Sequence, residues 1–421
     1  MLTTRGRAFI AAGATLVLCG MALGFADLTR VGVLLVGLPL MCAVLARRAR
    51  ADLTVTRTVT PARLPVDEQA QVELRFEGGR GRPTAVQLAD ERIDYVLGDR
   101  PRFVLPRMDR GDVRQVVYQV RSHVRGRHRI GPLTLRVRDP FGLATSAVVV
   151  PGAADVLVLP KVEPLAGSRL RGDGVGAEGA IPHMVALHGE DDVSIRGYRD
   201  GDDLRRIHWP ATAHRGELMV RQEDRPARRR AVLVLDSRGS GHRGTGGAGS
   251  FEWAVTALAS VAVHLSEQGY AVHLVSAETV AEARAVEVVD VDSALAALAV
   301  ADLAPDASFD RVLHEAAPLS AAGGMVLAVV TDHDEEMVRR LAALRQPGGS
   351  GLLLMLAAGS FAGTAERAGE DGTTALAELV LGAGWSAVVV RAGTTVPQAW
   401  AGLTATSGVS LVDGGRLVAA S

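Results

Sequence analysis

A chain of 421 residues in which 46 basic side chains face 47 acidic ones has no global field to gather nucleic acid or an acidic substrate. It is long enough for two or three domains of ~100–200 residues. Both cysteines, Cys19 and Cys42, lie in N-terminal apolar runs, so the remainder has no thiol for a disulfide, a thiolate metal site or a cysteine nucleophile. Lys161 is the single lysine, so arginine counts read as compositional bias rather than as functional signal.

Ala8–Phe25 is 18 residues without a charge and Val31–Ala46 is 16, close to what a hydrocarbon core of about 30 Å requires. Residues 1–50 are therefore expected to form a two-helix membrane hairpin, with Ala26–Arg30 as the turn and Pro39 tolerated inside the second span. Arg5 and Arg7 precede the pair and Arg47, Arg48 and Arg50 follow it, which predicts both ends in the cytoplasm of a two-span inner-membrane protein. A secretory signal ending near Gly24-Phe25-Ala26 is the rival reading.

From Leu53 the hydrophobic period changes to two, as in Leu53–Thr58, Val72–Phe76, Gln115–Val120, Leu133–Val137 and Ala147–Val150. Strands at this spacing, separated by Gly, Pro and Asp, predict an immunoglobulin-like β-sandwich over 51–159. Arg125–Arg129 is read as a charged hairpin tip rather than a phosphate site.

Residues 160–230 form a connecting segment. Within it, Ser194–Tyr198 reads as a strand and Asp200–Asp203 as a tight turn. Ile207 and Trp209 are then expected to pack while Arg206 and His208 point away. Opposed Arg and Asp suggest a charge-assisted network. The spacing of His183, His188, His208 and His214 matches no metal-ligand pattern, and no phosphate loop or dinucleotide fingerprint is present. Arg228–Arg230 reads as a solvated approach to the next strand.

Over 231–421, continuous apolar strands alternate with helices. Strands are predicted at Ala231–Leu235, Ala271–Val275, Met325–Thr331, Leu352–Ala357 and Ser386–Val390. Helices are predicted at Phe251–Gln268, Ser293–Leu303, Asp334–Leu344 and Thr373–Leu381, giving a mostly parallel α/β sheet covered on both faces. Ligands of such sheets sit beyond the strand carboxyl ends, which singles out Asp236 and Asp332. Asp236-Ser-Arg-Gly-Ser240 resembles the Asp-x-Ser-x-Ser metal motif of von Willebrand factor A domains, with Arg238 in place of the first serine. Asp236, Ser240 and Asp332 are the oxygen donors that would hold Mg²⁺; the alternative is that Asp236 caps turns and pairs with an arginine. The loop Gly239–Ser250 is flexible by composition.

Arg196, Tyr198, Gly201, Asp202, Asp203, Arg206, Ile207, His208, Trp209 and Gly216–Arg221, with Glu217 among them, resemble the signature of bacterial domain-of-unknown-function family 58. Asp139-Pro-Phe-Gly-Leu143 strengthens the likeness, as does the order of spans, β domain, signature and A-like domain. The resemblance implies a von Willebrand factor A-like domain and work beside a MoxR-type AAA+ ATPase. No catalytic residue, cofactor, nucleic acid or small-molecule substrate is expected. The signature residues, Arg221 included, would contact a partner or lock the β domain onto the α/β domain through Arg206 and Asp202. The alternative is a metal-dependent hydrolase using Asp236, Asp332 and His208.

Overall fold

In a computed structural model the described residues are 2–48, 53–79, 84, 86–139, 141–166, 193–198, 207–223, 229–346, 349–362, 370–405, 410–413 and 416–419. Two apolar helices begin the chain, α1 (Thr4–Leu23) and α2 (Ala26–Arg48), each long and apolar enough to cross a membrane. The linker is shorter than expected. Gly24, left-handed at φ 74°, and Phe25 alone join the helices, and Ala26–Arg30 is already the first turn of α2.

Gly6, Gly13 and Gly20 recur every seven residues along the buried stripe of α1. The seam is tight enough that a Cβ on Gly13 would stand 2.8 Å from the Gly32 carbonyl oxygen. Small residues at such a seam let two helices pack backbone to backbone where lipid supplies no hydrophobic drive.

The β-rich unit follows as β1 (Leu53–Thr60), β2 (Arg63–Pro65), β3 (Gln69–Gly78), β4 (Gln87–Ile93), β5 (Arg102–Leu105), β6 (Val113–Arg121), β7 (Gly126–Arg138), β8 (Thr145–Val150) and β9 (Ala154–Leu159). These make one sheet in the order β1-β3-β6 and another in the order β2-β9-β7-β4-β5, with β8 beside β7. Alternation in β3 buries Ala70, Val72, Leu74 and Phe76, as a strand with one face on a core requires. Those side chains meet Ile130, Leu133 and Leu135 of β7 and Val156 and Val158 of β9 in two shared clusters.

One ion pair is enclosed here: Arg57 of β1 donates to Glu91 of β4 at 2.5 Å, with side chains 3% and 0% exposed. A lone buried carboxylate at Glu91 would be costly, so Arg57 is required for it.

After a short hairpin, β10 (Val193–Gly197), α3 (Trp209–Arg215) and β11 (Met219–Glu223), the chain enters a seven-stranded sheet. Its strands and helices are β12 (Arg230–Leu235), α4 (Ser250–Glu267), β13 (Ala271–Val275), α5 (Ala277–Ala281), α6 (Val291–Val300), α7 (Ser308–Ala321), β14 (Met325–Thr331), α8 (Glu335–Ala342), β15 (Ser350–Leu356), α9 (Glu370–Gly382), β16 (Ser386–Val390), α10 (Val396–Ala405), β17 (Ser410–Asp413) and β18 (Arg416–Ala419). The order is β13-β12-β14-β15-β16-β17-β18, parallel throughout except for β18.

Both faces are covered, as continuous burial of β12 and β14 demands. Ala231, Leu233 and Leu235 pack with α4, α6 and α10, while Val232 and Val234 pack with α7, α8 and α9. Each fully buried Leu or Val contributes roughly 1.5–3 kcal/mol by leaving water. The first part of the connecting segment belongs to this unit: Leu165 packs on the α4 side, and the Glu163 amide donates to Ser260 Oγ at 2.9 Å.

β7 makes contact with other units at both of its ends. Its Gly126 end adjoins α6, and its Arg138 end leads into a turn seated on α1 and α2.

Candidate functional site at the strand ends and the signature hairpin

The chain leaves β12 toward β13 on one side, while β14 lies on the other, so the loops after β12 and β14 diverge and open a crevice at the carboxyl edge. Asp236 stands at the end of β12, fully buried, and its amide continues the ladder to the Val329 carbonyl at 3.1 Å. Asp332 follows β14 and continues the ladder to Leu356 in the same way.

Arg238 does not swing into solvent. Its Nε donates to Asp236 Oδ1 at 3.0 Å and one terminal nitrogen donates to Oδ2 at 2.9 Å, a bidentate pair. The other terminal nitrogen reaches Asp334 Oδ2 at 3.2 Å, and the guanidinium lies 4.7 Å over the Phe309 ring. Asp236 Oδ2 also accepts from the Thr331 amide and hydroxyl, at 3.2 and 3.1 Å.

Burial opposes the charge on Arg238, but the hydrogen bonds and charge of Asp236, with Asp334 and Asp306 behind, outweigh it and move its pKa upward. The pairing of Asp236 with an arginine, one of the two readings of this motif, is the arrangement present.

The three oxygen donors do not converge. Ser240 turns away to donate to Asp306 Oδ2 at 2.6 Å, and this bond first of all holds the Asp306 carboxyl below its usual value. Asp332 accepts from the Thr373 hydroxyl and from the Ala358 amide. Among the described residues no three His, Cys, Asp or Glu side chains form a metal-sized group. Mg²⁺ needs near-ideal oxygen geometry, and here a guanidinium lies against the carboxylate that would anchor it.

Asp332 instead borders an open cleft of about 540 Å³ with His333, Arg243, Glu335, Thr373 and Leu376. The Gly239–Ser250 loop is pinned at several points, contrary to its composition. His242 is buried, its Nε2 donating to the Asp236 carbonyl at 2.8 Å and its Nδ1 facing Ser250 Oγ at 3.0 Å.

The signature hairpin differs from expectation. β10 pairs antiparallel with β11, not with the segment around Ile207–Trp209, and α3 bridges them. Ile207 keeps one bridge to Val220, whereas Trp209 opens α3 with 65% of its surface exposed and does not pack inward. His208 caps α3, its Nδ1 accepting from the Ala211 amide at 3.1 Å. Its hydrogen bonds, to Ala211, Thr212 and Met219, are local to the hairpin and none reaches Asp236 or Asp332. Tyr198 donates its amide to Leu218 O at 2.8 Å, and Glu217 is exposed.

Arg196 and Arg221 face each other's strands in the β10–β11 register. Gly201, Asp202, Asp203 and Arg206 lie outside the described residues, as do His183, His188 and Arg228.

Arg125 overturns the hairpin-tip reading. Its side chain is 6% exposed and paired with Glu252 of α4. It donates to the Leu298 carbonyl at 3.1 Å and the Ala301 carbonyl at 2.6 Å. It thereby satisfies the carbonyl end of α6, where a cation also suits the helix dipole.

No curated protein matches the chain in sequence. Similar solved structures include the CARDB domain of a Pyrococcus furiosus protein in complex with di-metal ions, at 19% identity over 25% of this chain and 92% of that one, with a TM-score of 0.19. Pseudomonas fluorescens alkylpurine DNA glycosylase AlkC bound to DNA is 18% identical over 32% of this chain and 39% of that one, TM-score 0.20. Bacteroides uniformis beta-glucuronidase is 10% identical over 80% of this chain and 33% of that one, TM-score 0.17. Likenesses this low carry no structural argument. Residues 194–286 match the family described as Protein of unknown function DUF58. That stretch runs from β10 to just beyond α5 and contains both Trp209 and the Asp236–Arg238 pair, and across it the chain matches the DUF58 family.

Proposed function

We propose that this protein is a membrane-tethered, non-catalytic adaptor that works through protein contacts with a MoxR-type AAA+ ATPase. In this reading the β-rich unit is an immunoglobulin-like sandwich and the seven-stranded unit is von Willebrand factor A-like. Both sit on the cytoplasmic side of the inner membrane, by the arginines flanking the spans. The observation that carries the reading is the exposure of Trp209, 65% open at the start of α3 in the family segment. A large aromatic left open on a polar hairpin is a typical anchor for a partner. The engagement of Asp236 by Arg238 adds support, because a carboxylate held on both oxygens is a poor base or metal ligand.

The test is recovery of partners from detergent extracts of cells carrying a C-terminally tagged chain, with and without ATP. Nucleotide-dependent enrichment of an AAA+ ATPase is expected, falling about tenfold or more in Trp209→Glu, as for loss of an interfacial hot spot. If a correctly folded bait recovers no ATPase in either condition, the reading fails.

A further inference from the structure

The turn between β7 and β8 is built onto the membrane hairpin rather than into solvent. Asp139 shapes it, accepting from the Phe141 amide at 2.8 Å and from the Ala144 amide. α1 is stitched to the turn: the Thr3 amide donates to the Leu143 carbonyl at 2.9 Å, and Thr3 Oγ1 donates to the Gly142 carbonyl at 2.7 Å. The fit leaves no room at Gly6, where a Cβ would meet Leu143 O at 2.2 Å. Leu143 and Ala144 are buried against Cys42 and Ala46 of α2, with Leu38 and Ala43 alongside.

These contacts set a depth. Cys42 and Leu38 precede Ala46, the last residue of the uncharged run, by four and eight positions, or about 6 and 12 Å along a helix. The turn therefore meets α2 from the headgroup border at Ala46 inward over the outer part of the hydrocarbon. Phe141 stands in this turn with 62% of its surface open, although Asp139, Leu143 and Ala144 around it are buried. Arg138, three positions before Phe141, is exposed, as are Arg5 and Arg7 on either side of the Gly6 that abuts Leu143, and the Arg138 guanidinium lies over Gly142.

We propose that the turn made by Asp139 and Phe141–Ala144 is a lipid-binding wedge of the β-rich unit, with Phe141 inserted into the interfacial layer and the arginines around it facing anionic headgroups. An aromatic ring with adjacent cations at this depth matches the chemistry of the bilayer interface, apolar below and negatively charged above. The Thr3 bonds lock the wedge to the spans, so the β-rich unit is held against the membrane at two points, through the helices and through the ring. The inference rests on reading α1 and α2 as spans, and its test separates the two.

The full chain is reconstituted in phosphatidylcholine vesicles containing a minority of phosphatidylglycerol. It carries one environment-sensitive fluorophore on a single cysteine. Native Cys19, exposed on α1, reports the spans when Cys42 is replaced by Ala. Phe141→Cys and Tyr95→Cys, each with Cys19→Ala and Cys42→Ala, report the wedge and a reference site 91% exposed near the opposite end of β7. Thermal unfolding confirms that each variant is folded. The expected result is blue-shifted emission at position 141, with loss of intensity to a lipid-borne nitroxide placed shallowly in the bilayer. Cys19 is then quenched by a deep nitroxide and position 95 by neither. If Cys19 is quenched deeply while position 141 emits like position 95, the wedge is overturned and the spans stand. If neither is quenched, both readings fall.

Discussion

Arg238 and Asp236, two residues apart, close on one another at the end of β12 with both carboxylate oxygens engaged, and the Arg238 amide donates to Asp236 Oδ1 as well, at 3.1 Å. The carboxylate and its counter-charge come from a single turn of chain. The α/β unit therefore contains its own cation where a strand-end aspartate would otherwise need one from solution.

Arg238→Ser should lower stability by about 3–5 kcal/mol, the usual result of leaving one member of a buried pair alone. It also restores the serine of the Asp-x-Ser-x-Ser pattern. Because Ser240 stays turned to Asp306 and Asp332 stays held by Thr373 and Ala358, added Mg²⁺ is expected to leave the melting temperatures of variant and parent alike unchanged. A parent protein stabilised by Mg²⁺ would show that the guanidinium yields its place.

Arg125→Ala should loosen the contact between the β-rich and α/β units. It leaves the Leu298 and Ala301 carbonyls without their donor and Glu252 without its partner, at a cost of about 2–5 kcal/mol. Limited proteolysis should cut between the units faster, and Arg125→Lys should recover part of the protection. Unchanged proteolysis and melting in the alanine variant would refute the docking role.

Acidification should weaken the fold in a window set by histidines. Burial lowers the pKa of His242, although the Asp236 carbonyl and carboxylate pull the other way, and burial with Arg230 nearby lowers that of His273. Because the folded values lie below the ordinary 6.5, the unfolded chain takes up protons first as pH falls. Their stabilisation is thus complete above about pH 6.5 and is lost as pH falls below it toward the depressed values. Asp306 and Asp290 are also lowered, by hydrogen bonds from Ser240 and Ser293, and their contribution is lost only near and below the ordinary value of 3.8. Melting temperatures between about pH 7.5 and about pH 5.5 should fall, less steeply in His242→Gln. Equal slopes in the two proteins would exclude His242 as a contributor.

The strands and helices that sequence reveals here are those with strong periodicity. β12, β13, β14 and β16 are continuous apolar runs, and α4 shows its buried stripe at spacings of three and four. β2, of three residues, is too short to show a pattern. α7 and α10 do carry buried apolar residues at helical spacing, Phe309, Val312, Leu313, Ala316 and Leu319 in the one and Val396, Ala399, Trp400 and Leu403 in the other, so both were legible although neither is among the predicted helices. The pairing of Asp236 with Arg238 was legible because both partners lie within three residues. Arg125 was not, because its carbonyl acceptors lie 173 and 176 positions away and a solvated tip has the same local composition. Trp209 was misplaced for a related reason: alternation suggested a strand, but Pro210 at the first turn and Gly216 at the end define a helix.

The 13 residues of β7 lead from the α6 contact to the turn on α1 and α2, passing Gly131 at φ 103° where the pairing with β4 shifts register, so they reach at most about 40 Å, the length of a straight strand of that size. That strand works as a strut. With α1 and α2 as spans, it sets how far the α/β unit stands from the lipid, and a protein that engages this unit while resting on the bilayer has that distance to bridge.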